Sequence, residues 1–551
     1  MHARRSQLFM RTFLAMESKL GLLFWLLLLH HQRPSMSTSF RRSTCMPGSM
    51  EECMKAKFVP GHTLLGEGIN IVTMEKTSTF LLDLQEVEKE CTICHNPYTD
   101  TWEKLPKAMV DWRPEPSCST NIQSSESRSV VSVAEEATSE VQNDWKVGLN
   151  LKFVVNVKTA FGGSHSQVAK FAESKAVTDN YSFLSHKLEC VFYSFSLSEP
   201  RASLTSHFKA ALEELPESYD KVKYRKLIDK YGTHYTTLVR AGGQTKDVTA
   251  VRTCEVSMSG MKMDEVKKCL TAEAEIGIFG SSTSSSFKNC KNKLQESGYK
   301  GDFYQVFNEY TSRVIGGKVT FDLLSPARAT PDAYNKWMES LKTYPGLVSY
   351  SVESIHNLVK INGPKKENLR LAISDYIQEK ASPQKCSCRE GQVVTKGDDC
   401  SCECKASGYT GSNCCPTHRG AARLILTIKS ATGLKGGDFG SKADGYVIFK
   451  FGSIKRQSSK IKNKKDPTWN EKHDLGSVEL NPIKSYTIEV WDEDVRNDDL
   501  LGKCEKSLTA GDVTETCYLK KGHLTYSLSV TCAHHLAGRF CQDYIPVPPR
   551  V

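Results

Sequence analysis

From Val147 to Phe161 the odd positions Val147, Leu149, Leu151, Phe153, Val155, Val157 and Phe161 are apolar, and most even positions are polar. A period of two predicts a strand, which Gly162-Gly163 then breaks. Val168, Phe171, Ala172, Val177 and Leu184 lie among polar residues and predict short amphipathic helices within 164–187. Leu204, Phe208, Ala211, Leu212 and Leu215 predict another helix over 203–215. Tyr224, Leu227, Ile228 and Tyr231 stand at i, i+3, i+4 and i+7, one apolar helix face. Gly232 is expected to end that helix in the left-handed conformation. Thr233, His234 and Tyr235 then lead into a strand, with the tyrosines and His234 packing the helix end against a sheet. Gly242-Gly243 and Gly316-Gly317 fall in strand-like runs, where glycine marks a bend or bulge. Two such pairs predict a strongly bent central sheet. Between them, 264–297 begins as a helix (DEVKKCLTAEAE) and becomes Ser- and Gly-rich. Segments 331–342 and 365–380 read as helices. The runs ARLILTIKSA, GYVIFKFG, SYTIEVWDED and HLTYSLSVT within 421–531 predict an all-β domain.

At 551 residues the chain exceeds one core, so two to four domains are expected. The net charge of +10 suits nucleic acid or an anionic membrane surface. No arginine-rich arm, zinc-finger spacing or aromatic RNA-binding motif is present, so no nucleic-acid partner is expected and a membrane surface is favoured. The 20 cysteines fall in close sets and point to an oxidising compartment. Cys91 and Cys94 read either as a redox or zinc pair or as the far ends of bridges to Cys45 and Cys53. Leu20 to Leu29 is a ten-residue apolar run preceded by Lys19, the core of a signal peptide over about 1–39 and too short to span a bilayer. Met16 is an alternative start to Met1. No later run reaches the length of a transmembrane helix, so membrane insertion would use strands or surface contacts. HExxH, the GxSxG elbow and a phosphate loop are all missing, so no catalytic residue is nominated and an enzyme is not expected.

Asp438 and Asp444 flank the Gly-rich stretch GLKGGDFGSKADGYV, and Asp492, Asp494, Asp498 and Asp499 crowd into VWDEDVRNDDLLG. Each set follows a strand-like run. Turn preference of Asp and Gly is the plain alternative. Carboxylates brought to one end of a β-sandwich would repel one another, and calcium, which takes six to eight oxygens, resolves that. Phe439 and Val495 are the apolar residues expected at the loop tips, as membrane contacts. Lys455, Arg456, Lys460, Lys462, Lys464 and Lys465 read either as a headgroup-binding stretch or as a solvated charged face.

The run Tyr224-x6-Tyr231-Gly232-Thr233-His234-Tyr235 resembles the signature of the membrane-attack-complex/perforin family. The tail of 386–415, C-x-C-x-x-x-G-Y-x-G-x-x-C, resembles an epidermal-growth-factor module, and the two aspartate stretches with Lys465 to Glu471 resemble a C2 domain. The resemblance implies an α+β fold: a bent, twisted antiparallel sheet flanked by helical clusters over 45–385. A disulfide-rich module over 386–415, an all-β sandwich over 418–531 and a cystine-closed tail over 532–551 would follow. It implies bridges Cys45–Cys94, Cys53–Cys91, Cys118–Cys190, Cys254–Cys415, Cys386–Cys400, Cys388–Cys402, Cys404–Cys414, Cys504–Cys517 and Cys532–Cys541. Cys269 and Cys290 are placed to bridge within one segment. It further implies a secreted calcium-dependent pore former, held before release in a cytolytic granule. This would dock on a target phospholipid membrane, assemble a homo-oligomeric ring and deliver granule proteases. Its two insertion segments would be 161–189 and 264–297. In the second, Ala272, Ala274, Ile276 and Ile278 alternate with Glu273, Glu275 and Gly277, the period of a barrel strand. An ordinary amphipathic helix is the plain alternative there. Asn180 is a glycosylation sequon inside the first segment, expected unused or at its edge. Rival readings are a calcium-regulated membrane adaptor that makes no pore, and a complement-like pore component.

Overall fold

The computed structural model describes residues 45–547, apart from 87–90, 153–156, 161, 281–284, 299, 319–322, 325–328, 361–362, 386–391, 395–401 and 437–441. The expected signal peptide, Phe153, Val155, Phe161, Cys386, Cys388, Cys400, Asp438 and Phe439 lie outside the described residues.

The N-terminal half is built on one eight-stranded sheet. Its spine is a pair of long antiparallel strands, Tyr181–Leu197 and His234–Arg252, in register from Leu238↔Ser196 to Arg252↔Tyr181. Met109–Cys118 and Gln123–Ser127 add to the first, while Glu67–Asn70, Tyr310–Ile315 and Gly346–Ser354 add to the second. The sheet bends at Gly242-Gly243, where the register shifts between Ala241 and Gly242. A side chain at Gly242 would meet the Cys190 carbonyl at 2.0 Å, and one at Gly243 would meet Trp337 and Leu341 at 2.5 Å. Glycine is required here because the helix Pro331–Leu341, with Trp337 and Leu341 wholly buried, presses directly on the strand. Gly316 and Gly317 serve differently from expectation. They lie beyond the end of Tyr310–Ile315, both at φ +76, as a turn rather than a bend within a strand.

Two further expectations are corrected. Val147 to Leu151 form turns and irregular chain, and among the described residues of this run strand appears at Val157–Ala160. Val147 is 70% exposed, so the alternating pattern does not mark a buried face there. The segment 161–189 is helical only over Gln167–Ala176, and from Tyr181 it is the first half of a spine strand.

The C-terminal half is a sandwich of two four-stranded sheets. One runs Thr468–Glu479, Ala421–Thr432, His523–Cys532, Gly511–Tyr518; the other runs Ile454–Gln457, Gly445–Phe451, Ser485–Asp492, Asp499–Ser507. Alternate residues Leu424, Leu426 and Ile428 of the first meet Val447, Phe449, Ile488 and Val490 of the second in one core. Bridges Cys45–Cys94, Cys53–Cys91 and Cys118–Cys190 pin the N-terminal half, and Cys504–Cys517 and Cys532–Cys541 the sandwich. Cys404–Cys414 lies between the halves, and Cys254–Cys415 joins the end of the long strand to the chain entering the sandwich. Cys402 is also disulfide-bonded. The tail returns to the first half: the buried Asp179 carboxylate accepts from the Tyr544 hydroxyl and from the Val547 N–H at 3.1 Å.

Candidate functional site

The signature residues form a joint at the centre of the sheet. In the helix Lys221–Tyr231, Tyr224, Leu227, Ile228 and Tyr231 are all buried. The Tyr224 hydroxyl donates to the Pro216 carbonyl at 2.8 Å, and the Tyr231 ring packs edge-on against Phe208. Gly232 closes the helix at φ +83 with an extended ψ of −172, so it turns straight into the strand rather than adopting the full left-handed cap. A side chain there would strike the Ile69 carbonyl at 2.6 Å. Thr233 receives the Ile71 N–H at 3.0 Å. His234 Nε2 is 2.9 Å from the Trp145 carbonyl, a pure acceptor, so Nε2 carries the proton and Nδ1 accepts from Thr233 at 2.8 Å. Burial pushes His234 down to about 4, and the neighbouring His356 adds to the shift. The Tyr235 hydroxyl lies 3.3 Å from both Glu199 and Glu353.

Around this joint stand two helical clusters. Gln167–Ala176 packs with Val130–Ala137 over the spine through Val133, Ala172, Tyr181, Phe183 and Val248. Asn180 is half-buried at the junction between that helix and the spine strand, and its carbonyl accepts from Thr253 at 3.0 Å. The second cluster is Met263–Phe279 with Ser285–Glu296, cross-linked by Cys269–Cys290. Its Val266, Leu270, Ala274, Ile278 and Leu294 cover Leu184, Leu188 and Val251 of the spine. Past Gly280 the described chain is helix from Ser285 to Glu296, where a Ser-rich loop is the plain expectation. Beneath it lies a polar group: His186 Nδ1 is 3.2 Å from Asp247 Oδ1, both side chains fully buried, and Tyr304 donates to Asp247 at 2.8 Å. Glu273 accepts the N–H groups of Phe303 and Tyr304 at 2.9 and 3.1 Å.

The two acidic stretches meet at one end of the sandwich. Gly445 pairs with Asp492, and Asp492 with Asp499 on the next strand. The Asp444 N–H donates to Asp492 Oδ1 at 2.6 Å, and the Asp444 carboxylate accepts from Asn463 at 2.7 Å. Asp498 accepts from the Tyr446 hydroxyl at 2.5 Å and from the Asp494 N–H at 3.3 Å. The Tyr446 bond holds Asp498 below the usual carboxylate range, while burial and that bond push Tyr446 up to about 12. No group of three or more metal-ligating side chains is gathered tightly enough among the described residues to hold an ion. The donor set nonetheless fits a hard cation. It is all oxygen, Asp492 is buried and oriented by backbone, and loops from both sheets converge. Val495 stands fully exposed at the tip, and Lys460, Lys462, Lys464 and Lys465 line the exposed connection beside it. No helix among the described residues is long and apolar enough to cross a membrane.

The family model of the MAC/Perforin domain matches residues 58–386, and that of the C2 domain residues 422–521. The chain is 38% identical over 519 residues to Perforin-1 of Mus musculus, covering 91% of this chain and 93% of the relative. The chain belongs to the MAC/Perforin family. Complement component C6 of Bos taurus is 30% identical over 270 residues, 47% of this chain and 28% of its own. A solved structure titled "Structure of a C2 domain" is 32% identical, covering 20% of this chain and 98% of its own, with a TM-score of 0.18. The MAC/Perforin domain therefore contains the signature joint and both helical clusters, and the C2 domain contains the acidic end.

Proposed function

We infer that this chain is a secreted, calcium-dependent, pore-forming cytolytic protein. The observation that carries the reading is the pairing, in one disulfide-linked chain, of a MAC/Perforin domain with a C2 sandwich whose acidic stretches share one end. Asp444, Asp492, Asp494, Asp498 and Asp499 would hold calcium, joined by Asp438 as the family resemblance implies. That ion supplies charge cancellation and open positions for lipid phosphate oxygens. Lys460, Lys462, Lys464 and Lys465 attract anionic headgroups. Val495 enters the interface, as would Phe439. Docked copies assemble into a ring, and the two helical clusters leave the spine as β-hairpins that line a barrel. The region 386–415, with its Cys404–Cys414 bridge, acts as a growth-factor-like spacer by resemblance. Storage in an acidic, calcium-poor granule and delivery of granule proteases extend the family resemblance. Protonated carboxylates bind calcium poorly, which would keep the stored form inactive. No residue is assigned a catalytic role.

Dye release from liposomes tests this. Leakage should require calcium and should be lost in Asp492→Asn and Asp494→Asn. Binding without leakage would favour a membrane adaptor, and leakage that survives both substitutions would sink calcium gating.

A further inference from the structure

The acidic end of the C2 domain carries a fourth connection that its aspartates do not reveal. Thr432 pairs with His523 and Tyr518 with His523, so the turn between Gly511–Tyr518 and His523–Cys532 opens beside the stretch that follows Thr432. The turn is tight: the Leu519 N–H donates to the Gly522 carbonyl at 3.0 Å, and Gly522 sits at φ +89. A side chain at Gly522 would meet the Thr432 carbonyl at 2.2 Å, which places the turn directly against the base of the Gly433–Asp444 connection. On its other side Leu519 covers Gly502, whose added Cβ would meet it at 2.9 Å. Cys504–Cys517 ties the same hairpin to the strand that starts at Asp499. The turn is therefore held between the base of the first acidic connection and the strand that leaves the second.

What it presents is an aromatic residue and two cations. Tyr518 is 78% exposed although it is large, and its ring lies tilted beside that of His523 at 6.1 Å. Lys520 and Lys521 follow it and are exposed, and Leu500 is 40% exposed across the gap. An aromatic residue with a polar tip suits the boundary between headgroups and acyl chains, and flanking lysines suit anionic headgroups.

We propose that the Tyr518–Lys521 turn is a membrane-contact site, in which Tyr518 enters the interface of an anionic phospholipid bilayer and Lys520 and Lys521 bind its headgroups. This rests on the membrane-binding reading above and adds an anchor to an end where Val495 is the one large apolar tip among the described residues.

The test uses the full chain with calcium, on vesicles of phosphatidylcholine with and without phosphatidylserine. Tyr518→Ala should weaken binding to both about tenfold. Lys520→Ala with Lys521→Ala should weaken binding only to the phosphatidylserine vesicles, by about fivefold for each lysine. The indole of Tyr518→Trp should be quenched by brominated acyl chains. Because Tyr518 is exposed, an unchanged thermal midpoint separates lost contact from misfolding. Unchanged affinities with an unquenched indole, while the native chain still binds, would overturn this site and leave the general reading intact. A native chain that binds neither vesicle overturns both. Loss of lysine-variant binding on pure phosphatidylcholine would overturn the headgroup assignment.

Discussion

His234 shows how much one residue of the signature depends on its surroundings. It is buried, neutral and fixed by one donor and one acceptor bond. Its folded-state value of about 4 lies below the unfolded value of 6.5. The unfolded chain therefore binds the extra proton first, and the stability this residue contributes is present above pH 6.5 and is lost as pH falls towards 4. The full loss is about 3 kcal/mol. Denaturation at a series of pH values should show the slope, and His234→Gln should remove about one proton's worth of it. The sequence made the burial of Tyr224 and Tyr231 readable, because four apolar residues at helical spacing define a face. It did not make Gly232's geometry readable. Helix-end statistics favour the left-handed cap, whereas the close approach of the Ile69 carbonyl selects an extended ψ that no local pattern encodes.

At the scale of elements, the bend at Gly242-Gly243 and the alternating runs of the all-β domain were legible, while the Gly316-Gly317 pair marks a turn instead of a second bend. The helix Ser285–Glu296 was not. It is Ser-, Lys- and Asn-rich, and its apolar residues Phe287, Cys290 and Leu294 are too few to set a period. The Cys269–Cys290 bridge and the spine beneath settle its form. The reverse error at Val147 to Leu151 has a related cause: alternation without a partner strand gives no ladder. The second cluster is held over a buried polar group, so its attachment is tunable. Tyr304→Phe removes a hydrogen bond from the enclosed Asp247 carboxylate. We expect a loss of about 2 kcal/mol by chemical unfolding and an earlier onset of dye release at equal vesicle binding. Unchanged onset despite the lost stability would show that this polar group does not limit opening.

Across the whole molecule, two attachments join the MAC/Perforin domain to the far end of the C2 domain. The strand Ala421–Thr432 has 12 residues, about 40 Å, with the acidic end beyond Thr432 and the Asp179-bound tail at Ala421. Cys254–Cys415 enters at that same far end. That the acidic stretches share one end of the sandwich was legible because each follows a strand. The Tyr518 turn was hidden because two lysines and a glycine after a cysteine resemble any exposed turn. In the proposed insertion Ile276 faces lipid, so Ile276→Lys should abolish leakage and leave calcium-dependent vesicle binding unchanged. Leakage at the native level would remove Ile276 from the lipid face.

The 12-residue strand also works as a gauge of altitude. With the acidic end on the bilayer, the roots of the clusters stand at most about 40 Å above it, and a descending leg must clear that gap before crossing about 30 Å of hydrocarbon. As a helix, the 17 residues of Met263–Phe279 reach about 25 Å, which falls short. Drawn out, the 27 residues from Thr253 to Phe279 reach about 90 Å, which suffices. Only the leading part of each leg then meets lipid. That part would centre on Ala272 to Ile278, whose alternating chain covers about 23 Å of the roughly 30 Å just behind Gly280. Cys269 and Cys290 lie ten residues from Phe279 and from Gly280 respectively, so in the proposed insertion their bridge would ride above the hydrocarbon as a clasp that keeps the two legs level on the way down.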